Sequence, residues 1–289
     1  MTAEDLSFDA LMPAEMAARA ERIGVRKAHL DAVSTFALAV LAGAFIALGA
    51  IFATTVSAGG SALPYGIVRL LAGVTFSLGL ILVIVGGAEL FTGNTLIVMA
   101  WASRKVRTRL LLRNWLIVYV GNFVGATATA VVVFISGQYT FGAGAVGAAA
   151  LATGNAKAGL DFLPAVALGM MCNALVCLAV WLAFSARTTT DRILAIVPPI
   201  AAFVASGFEH SVANMYFIPA ALLIRNDAPA SFWTAIGKTP ADYPNLTMQG
   251  FLGGNLLPVT IGNIIGGAVM VGIVYWFIYL RSARPARGG

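Results

Sequence analysis

The chain has 289 residues, 60% of them hydrophobic and only 10% charged, with a formal net charge of +6 at neutral pH. Soluble domains carry about 25% charged residues, so this composition excludes an ordinary soluble enzyme and points to an integral membrane protein. Cys172 and Cys177, the two cysteines, offer no disulfide framework or metal cage and are expected to be small core residues.

Residues 1–30 open with Glu4, Asp5 and Asp9 and show no cleavable signal peptide. From Pro13 onward a helix is expected, with proline in its first turn. Met16, Ala20 and Ile23 share one side, and Arg19, Arg22, Arg26 and Lys27 lie elsewhere. This cytoplasmic amphipathic segment is expected to lie on anionic lipid, with gating as the sharper alternative. Six apolar stretches then follow, at 33–56, 64–101, 110–135, 162–184, 193–224 and 256–280. A membrane crossing needs roughly 20 apolar residues, and the second and fifth stretches are overlong.

Those two stretches carry the same polar break. Gly87-Ala-Glu-Leu-Phe-Thr-Gly-Asn94 and Gly207-Phe-Glu-His-Ser-Val-Ala-Asn214 both spell Gly-x-Glu-x-x-x-x-Asn. The piece beyond the first break, residues 93–102, reaches only ~15 Å as a helix and cannot span by itself. One broken helix per stretch is therefore expected. A second pattern, Asn114-x6-Gly121-Asn122-x-x-Gly125, returns as Asn255-x6-Gly262-Asn263-x-x-Gly266. Two patterns repeated in the same order imply duplication. Three crossings per copy make the second copy inverted in the membrane. The fold expected is all-α, with six transmembrane helices in two inverted three-helix repeats, the second and fifth helices broken. The repeats occupy residues 31–137 and 161–281, joined by a periplasmic connection at 138–160 and followed by a cytoplasmic tail at 282–289.

Of the 18 lysines and arginines, all but Arg69, Lys157, Arg225 and Lys238 fall on one predicted face, which the positive-inside rule makes cytoplasmic, with both termini inside. Topology, not nucleic-acid binding, thus accounts for the net charge. The connection at 138–160 is rich in glycine and alanine. The longer one between the fifth and sixth crossings, carrying Phe232 and Trp233, is expected along the outer interface.

Inverted repeats bring the two breaks face to face near mid-membrane. Thr92, Gly93 and Asn94 begin one half-helix, Ser211 and Val212 the other, and the exposed N–H groups and dipoles of such half-helices favour a small anion. His210 lies in the second break, and an ionisable group within a span is a functional candidate by default. An imidazole can hydrogen-bond a carboxylate or, protonated, neutralise one. A bare carboxylate in the pathway would repel anions, so Glu89 and Glu209 are expected as structural groups tied to half-helix N–H groups. Asn94, Asn214, Asn122 and Asn263 are expected as clamps, with Gly93 and Gly207 marking the breaks, while Asn173 can present its amide to a substrate. Phe76, Leu80 and Phe203 suit either core or an apolar gate. A neutral-solute channel is the competing transport class, but the paired Asn-Pro-Ala motifs of water channels are missing from both breaks. No paired catalytic acids, nucleophile–base pair or metal-ligand spacing suggests an enzyme, and no cofactor or metal is expected.

Ala88-Glu-Leu-Phe-Thr-Gly93, Cys172-Asn-Ala-Leu-Val-Cys-Leu-Ala-Val-Trp181, Ala205-Ser-Gly-Phe-Glu-His-Ser-Val-Ala-Asn214 and Thr260-Ile-Gly-Asn-Ile-Ile-Gly-Gly267 together resemble the formate/nitrite transporter family over almost the whole chain. The flanks, Phe8-Asp-Ala-Leu-Met-Pro-Ala-Glu-Met16 and Tyr275-Trp-Phe-Ile-Tyr-Leu-Arg281, are most similar to its formate-channel branch. Glu89-Leu-Phe-Thr-Gly93 also resembles the nitrite branch, and nitrite or hydrosulfide is the alternative permeant. The resemblance implies an aquaporin-like fold, a homopentamer in the bacterial inner membrane, and one pore per protomer for formate and similar small monovalent anions, with proton coupling. It implies His210 as the central pore histidine and Thr92 as its hydrogen-bond partner. Asn173 would be a further polar pore residue, Phe76, Leu80, Leu90 and Phe203 the constrictions, and Lys157 an outer-vestibule cation. The N-terminal segment would gate in response to pH and to a cytosolic partner.

Overall fold

A computed structural model describes residues 10–60 and 63–281, and every regular element among them is helical. In chain order these are α1 (Pro13–His29), α2 (Ala32–Ser57), α3 (Tyr65–Gly86), α4 (Phe91–Ala102), α5 (Thr108–Ile135) and α6 (Ala145–Ala158). There follow α7 (Phe162–Ser185), α8 (Thr189–Ala205), α9 (Ser211–Asp227), the short α10 (Ala230–Ile236) and α11 (Gly250–Tyr279). Five of them, α2, α3, α5, α7 and α11, are long and apolar enough to cross a bilayer. The sixth crossing is made by α8 and α9 together, two helices of 17 residues each.

Local chemistry sets the ends. Asp31 caps α2 by accepting the Ser34 N–H at 2.9 Å. Thr188 and Asp191 form a reciprocal capping box at the start of α8, four residues before the apolar run begins. Both breaks open in the same way. Gly87 (φ 82°) and Gly207 (φ 76°) take the left-handed conformation that ends α3 and α8, which is why glycine recurs there. The breaks are not equally central in their stretches. α3 alone runs 22 residues before its break and α4 adds only a short half-helix, whereas α8 and α9 are equal halves.

On α2 the small side chains face inward and most of the large ones outward. Ala39, Ala42, Ala47 and Ala50 of α2 are buried, whereas Leu41, Leu48 and Phe52 on the same helix are exposed. That arrangement would be costly in water and is ordinary against lipid, where close helix approach supplies the cohesion. The matched glycines place the tightest contacts at equivalent points. A Cβ on Gly125 would lie 2.0 Å from the Val40 carbonyl oxygen, and one on Gly266 would lie 2.1 Å from that of Met170. α5 therefore meets α2 as α11 meets α7.

Two expectations need correction. The 13–30 segment is not a helix resting on lipid. α1 buries Met16, Ala17, Ala20, Glu21, Gly24 and Ala28 against the rest of the protein, because its small residues seat it on α4. Likewise, the stretch at 138–160 is more than a connection, since it contains α6, whose Val146, Gly147, Leu151, Gly154 and Ala158 are buried. α1 and α6 are equivalents. Both end in Gly-x-x-Lys-Ala-x-Leu-Asp, with Gly24, Lys27 and Asp31 in one and Gly154, Lys157 and Asp161 in the other. Each repeat thus begins with an extra packed helix. In the connection between α9 and α11, Phe232 is buried edge-on against Tyr139. The expected tail at 282–289 and the first nine residues lie outside the described residues.

Candidate functional site

Each break is held by two asparagine frames. In the first, Asn122 accepts the Phe91 N–H at 2.9 Å and donates to the carbonyls of Ala39 (2.7 Å) and Glu89 (2.9 Å). Asn263 does the same in the second repeat, accepting the Ser211 N–H at 2.9 Å and donating to Gly169 and Glu209 carbonyls, both at 2.9 Å. The asparagines are fully buried; each pairs one N–H and one carbonyl of its break and ties them to a carbonyl of the neighbouring helix, Ala39 of α2 or Gly169 of α7. They take the place expected for the two glutamates.

Glu89 and Glu209 belong to the second frame. Asn94 donates to Glu89 (2.6 Å) and to Asn114 (2.9 Å), and Asn114 donates to the Lys27 carbonyl (3.2 Å). Asn214 donates to Glu209 and to Asn255, both at 2.7 Å, and Asn255 donates to the Lys157 carbonyl (2.9 Å). Each carboxylate also meets a lysine, Lys27–Glu89 at 2.9 Å and Lys157–Glu209 at 2.7 Å. Lys27 is thus the counterpart of Lys157, a match that the Lys-Ala-x-Leu-Asp repetition encodes. Lys157 also lies 5.4 Å over the Phe217 ring. Both lysines thus line a cavity while paired with a carboxylate.

The half-helices meet through one polar contact. His210 Nε2 is 2.9 Å from Thr92 Oγ1, with both side chains buried. His210 Nδ1 accepts the Ala213 N–H at 3.0 Å. That bond requires the Nδ1 lone pair, so the ring proton resides on Nε2 and is directed at Thr92. The Thr92 carbonyl is fixed from behind by Thr95 Oγ1 (2.6 Å), Asn173 Nδ2 (3.2 Å) and Cys177 Sγ (3.4 Å). Asn173 also donates to the Asn263 carbonyl at 2.6 Å, which joins the two repeats behind the contact. Gly267 admits this cluster, since a Cβ there would lie 2.1 Å from Thr95 Oγ1.

Two cavities approach the contact from opposite sides. One, of about 320 Å³, is lined by Arg19, Arg26, Lys27, Glu89 and Arg192 and ends at Leu80, Leu90 and Gly93. Burial, then the neighbouring Arg192, Arg187 and Arg22, hold the Arg19 guanidinium below its ordinary range. The other, of about 490 Å³, is lined by Arg69, Lys157 and Glu209 and ends at Phe76, Phe203, Gly207 and His210. The two cavities share no lining residue. Phe76 and Leu80 are four residues apart on α3, so the wall between the cavities is about one helical turn, ~6 Å, thick. Phe203 packs edge-on to Phe76 at 5.6 Å and lies along His210 at 6.0 Å. His210 lines the second cavity and Thr92 lies behind it, so the pair sits within the apolar wall between the two vestibules.

Residues 14–277 match the profile of the formate/nitrite transporter family. The formate channel FocA of Escherichia coli is 47% identical over 278 residues, covering 96% of this chain and 98% of that protein. A probable formate transporter of Methanothermobacter thermautotrophicus is 35% identical over 286 residues, covering 93% and 97%. Among solved structures, a pentameric formate channel with formate bound is similar with a TM-score of 0.83 and 46% identity, covering 86% of this chain and 98% of the other.

Proposed function

Since the chain belongs to the formate/nitrite transporter family, we propose that it conducts formate and related small weak-acid anions across the membrane, one pathway per protomer. The observation that carries this reading is the Thr92–His210 contact standing alone in a wall one turn thick between two vestibules. An idealised charged carboxylate costs on the order of 20 kcal/mol to move from water into a medium of low dielectric, whereas a neutral acid costs far less. The permeant therefore crosses the wall as the acid. A neutral imidazole cannot release its Nε2 proton without becoming an imidazolate, and the Ala213 N–H occupies Nδ1. His210 acts as a hydrogen-bond donor through Nε2, displacing Thr92 as the solute arrives, and the proton is taken up from the water-filled vestibule. Proton movement is thereby coupled to formate movement.

Phe76, Leu80, Leu90 and Phe203 form the apolar wall on its two sides, and the Lys27–Glu89 and Lys157–Glu209 pairs hold the breaks in shape. Lys157, with Arg69, gives its vestibule a net positive charge that collects anions. Arg19, Arg26 and Arg192 do the same at the other mouth, the one bearing most of the chain's basic residues, which is assigned to the cytoplasm of a bacterial inner membrane together with both termini. The functional unit is a homopentamer, in keeping with the similar solved channel. Each repeat takes in its leading helix, so the units are 13–135 and 145–279. α1, joined to the first break through Lys27, is the part through which pH or a cytosolic partner would gate the pathway.

Proteoliposomes test the reading directly. Formate uptake should exceed that of protein-free vesicles, rise with an inward proton gradient, and fall in His210→Phe. Equal uptake by empty vesicles, or osmotic water flow without formate entry, would refute it.

A further inference from the structure

Away from both vestibules, the ends of α4 and α11 leave a shallow cleft of about 530 Å³. Trp101 and Trp276 wall it, and Arg104, Arg107, Thr108 and Ile273 are among the other lining residues. Both indoles are pinned by their ring N–H groups, Trp101 to Thr108 Oγ1 and Trp276 to Ser103 Oγ, each at 3.0 Å. The Thr108 hydroxyl accepts one of those bonds and retains its own proton to donate.

The two arginines are placed at some expense. Arg104 sits just past the end of α4 with φ 63°, the left-handed position that favours glycine. Lys105 between them is paired with Glu21, but neither Arg104 nor Arg107 has an acidic partner among the described residues. Both are exposed. Beyond the cleft, Val274, Phe277 and Ile278 of α11 continue the exposed apolar belt, and Arg281 lies 3.6 Å over the Phe277 ring. Unpaired guanidiniums, tethered indoles and an apolar surface thus follow one another over a short distance.

We propose that this cleft is a binding site for the phosphate group of an anionic phospholipid. The planar guanidiniums of Arg104 and Arg107 take the phosphate oxygens in paired hydrogen bonds, and Thr108 donates to the headgroup. The indoles sit at the level where headgroup gives way to acyl chain, and the chains run along α11. Basic pockets between membrane helices at their cytoplasmic ends recognise anionic headgroups in this way. Assignment of the site to the cytoplasmic leaflet rests on the orientation given above, whereas binding itself does not.

Nanodiscs of phosphatidylcholine with graded phosphatidylglycerol, identical in both leaflets, make the test independent of orientation. Native mass spectrometry reads retained phosphatidylglycerol, and thermal unfolding reads its stabilising effect. Arg104→Gln combined with Arg107→Gln should weaken phosphatidylglycerol retention about thirtyfold. Arg104→Gly relaxes the backbone, so it should unfold no lower than the parent in pure phosphatidylcholine and yet lose part of the phosphatidylglycerol shift. Retention unchanged in the double variant overturns the proposal, as does a double variant that instead loses its oligomeric mass, which would make the cleft a protomer contact. Stabilisation by inorganic phosphate or glycerol 3-phosphate equal to that by the lipid assigns the site to a soluble anion and overturns the lipid reading. Neither arginine lines a vestibule, so formate uptake in pure phosphatidylcholine should be the same in the double variant and the parent. Absence of uptake in both would count against the transport reading alone.

Discussion

His210 and Leu90 occupy the same position of the two repeats. Each directly precedes its half-helix, and each accepts the N–H of the asparagine four residues on, Asn94 onto Leu90 at 2.8 Å and Asn214 onto His210 at 2.9 Å. Thr92 in turn matches Val212. The frames around the breaks are duplicated, while the pair that meets between them is not.

His210→Phe keeps an aromatic body beside Phe203 and removes the donor. A hydrogen bond between the neutral imidazole and the neutral acid contributes about 0.5–1.5 kcal/mol, so formate uptake in proteoliposomes should fall about 2- to 10-fold. Flux and pH dependence equal to those of the parent would remove the imidazole from the pathway.

Thr92→Val copies the residue of the matching position and leaves the His210 ring N–H facing a methyl group. The unmet buried donor should cost about 1–3 kcal/mol in thermal unfolding in detergent. Thr92→Ser, which keeps the hydroxyl, should stay within about 0.5 kcal/mol of the parent. Equal losses in both variants would mean that the contact contributes nothing as a hydrogen bond.

Asn263→Ala strands the Ser211 N–H and the Glu209 carbonyl and cuts the tie to Gly169 of α7, and Asn122→Ala strands the Phe91 N–H and the Glu89 carbonyl and cuts the tie to Ala39 of α2. Each should lose about 3–5 kcal/mol of stability, the two losses being similar because the frames match. A calorimetric comparison in one detergent decides it, and a loss confined to one of the two would contradict the equivalence.

The sequence made the breaks legible because few residues can do what they require. A left-handed exit needs glycine, and a buried break needs amides and a carboxylate at fixed spacing. Thr92 and His210 were legible for the same reason. The equivalence of α1 and α6 was hidden, since one is strongly amphipathic and the other is mostly Gly/Ala. Their buried faces are made of small residues that leave little periodic signal, and only Lys-Ala-x-Leu-Asp betrays them. α8 begins four residues ahead of the apolar stretch at 193–224 because apolarity marks the lipid boundary, whereas the Thr188 cap marks the helix.

Lys157→Met leaves the Glu209 carboxylate buried without its cation, and a broken buried pair costs about 3–5 kcal/mol. Adding Glu209→Gln should recover most of that loss. The same cycle at Lys27 and Glu89 should behave alike, read by thermal unfolding in detergent. A double variant no more stable than Lys157→Met would show that the lysine acts through packing on Phe217, not through charge.

The separation of frame from occupant has an evolutionary corollary. Because the asparagines engage the main chain of each kink and not the side chains that greet the solute, the tip of either kink can be exchanged without dismantling its supports. Selectivity can then drift by substitution at two or three sites while the architecture stays put. A histidine in one copy and a leucine in the other is the record of such a divergence after the ancestral unit doubled.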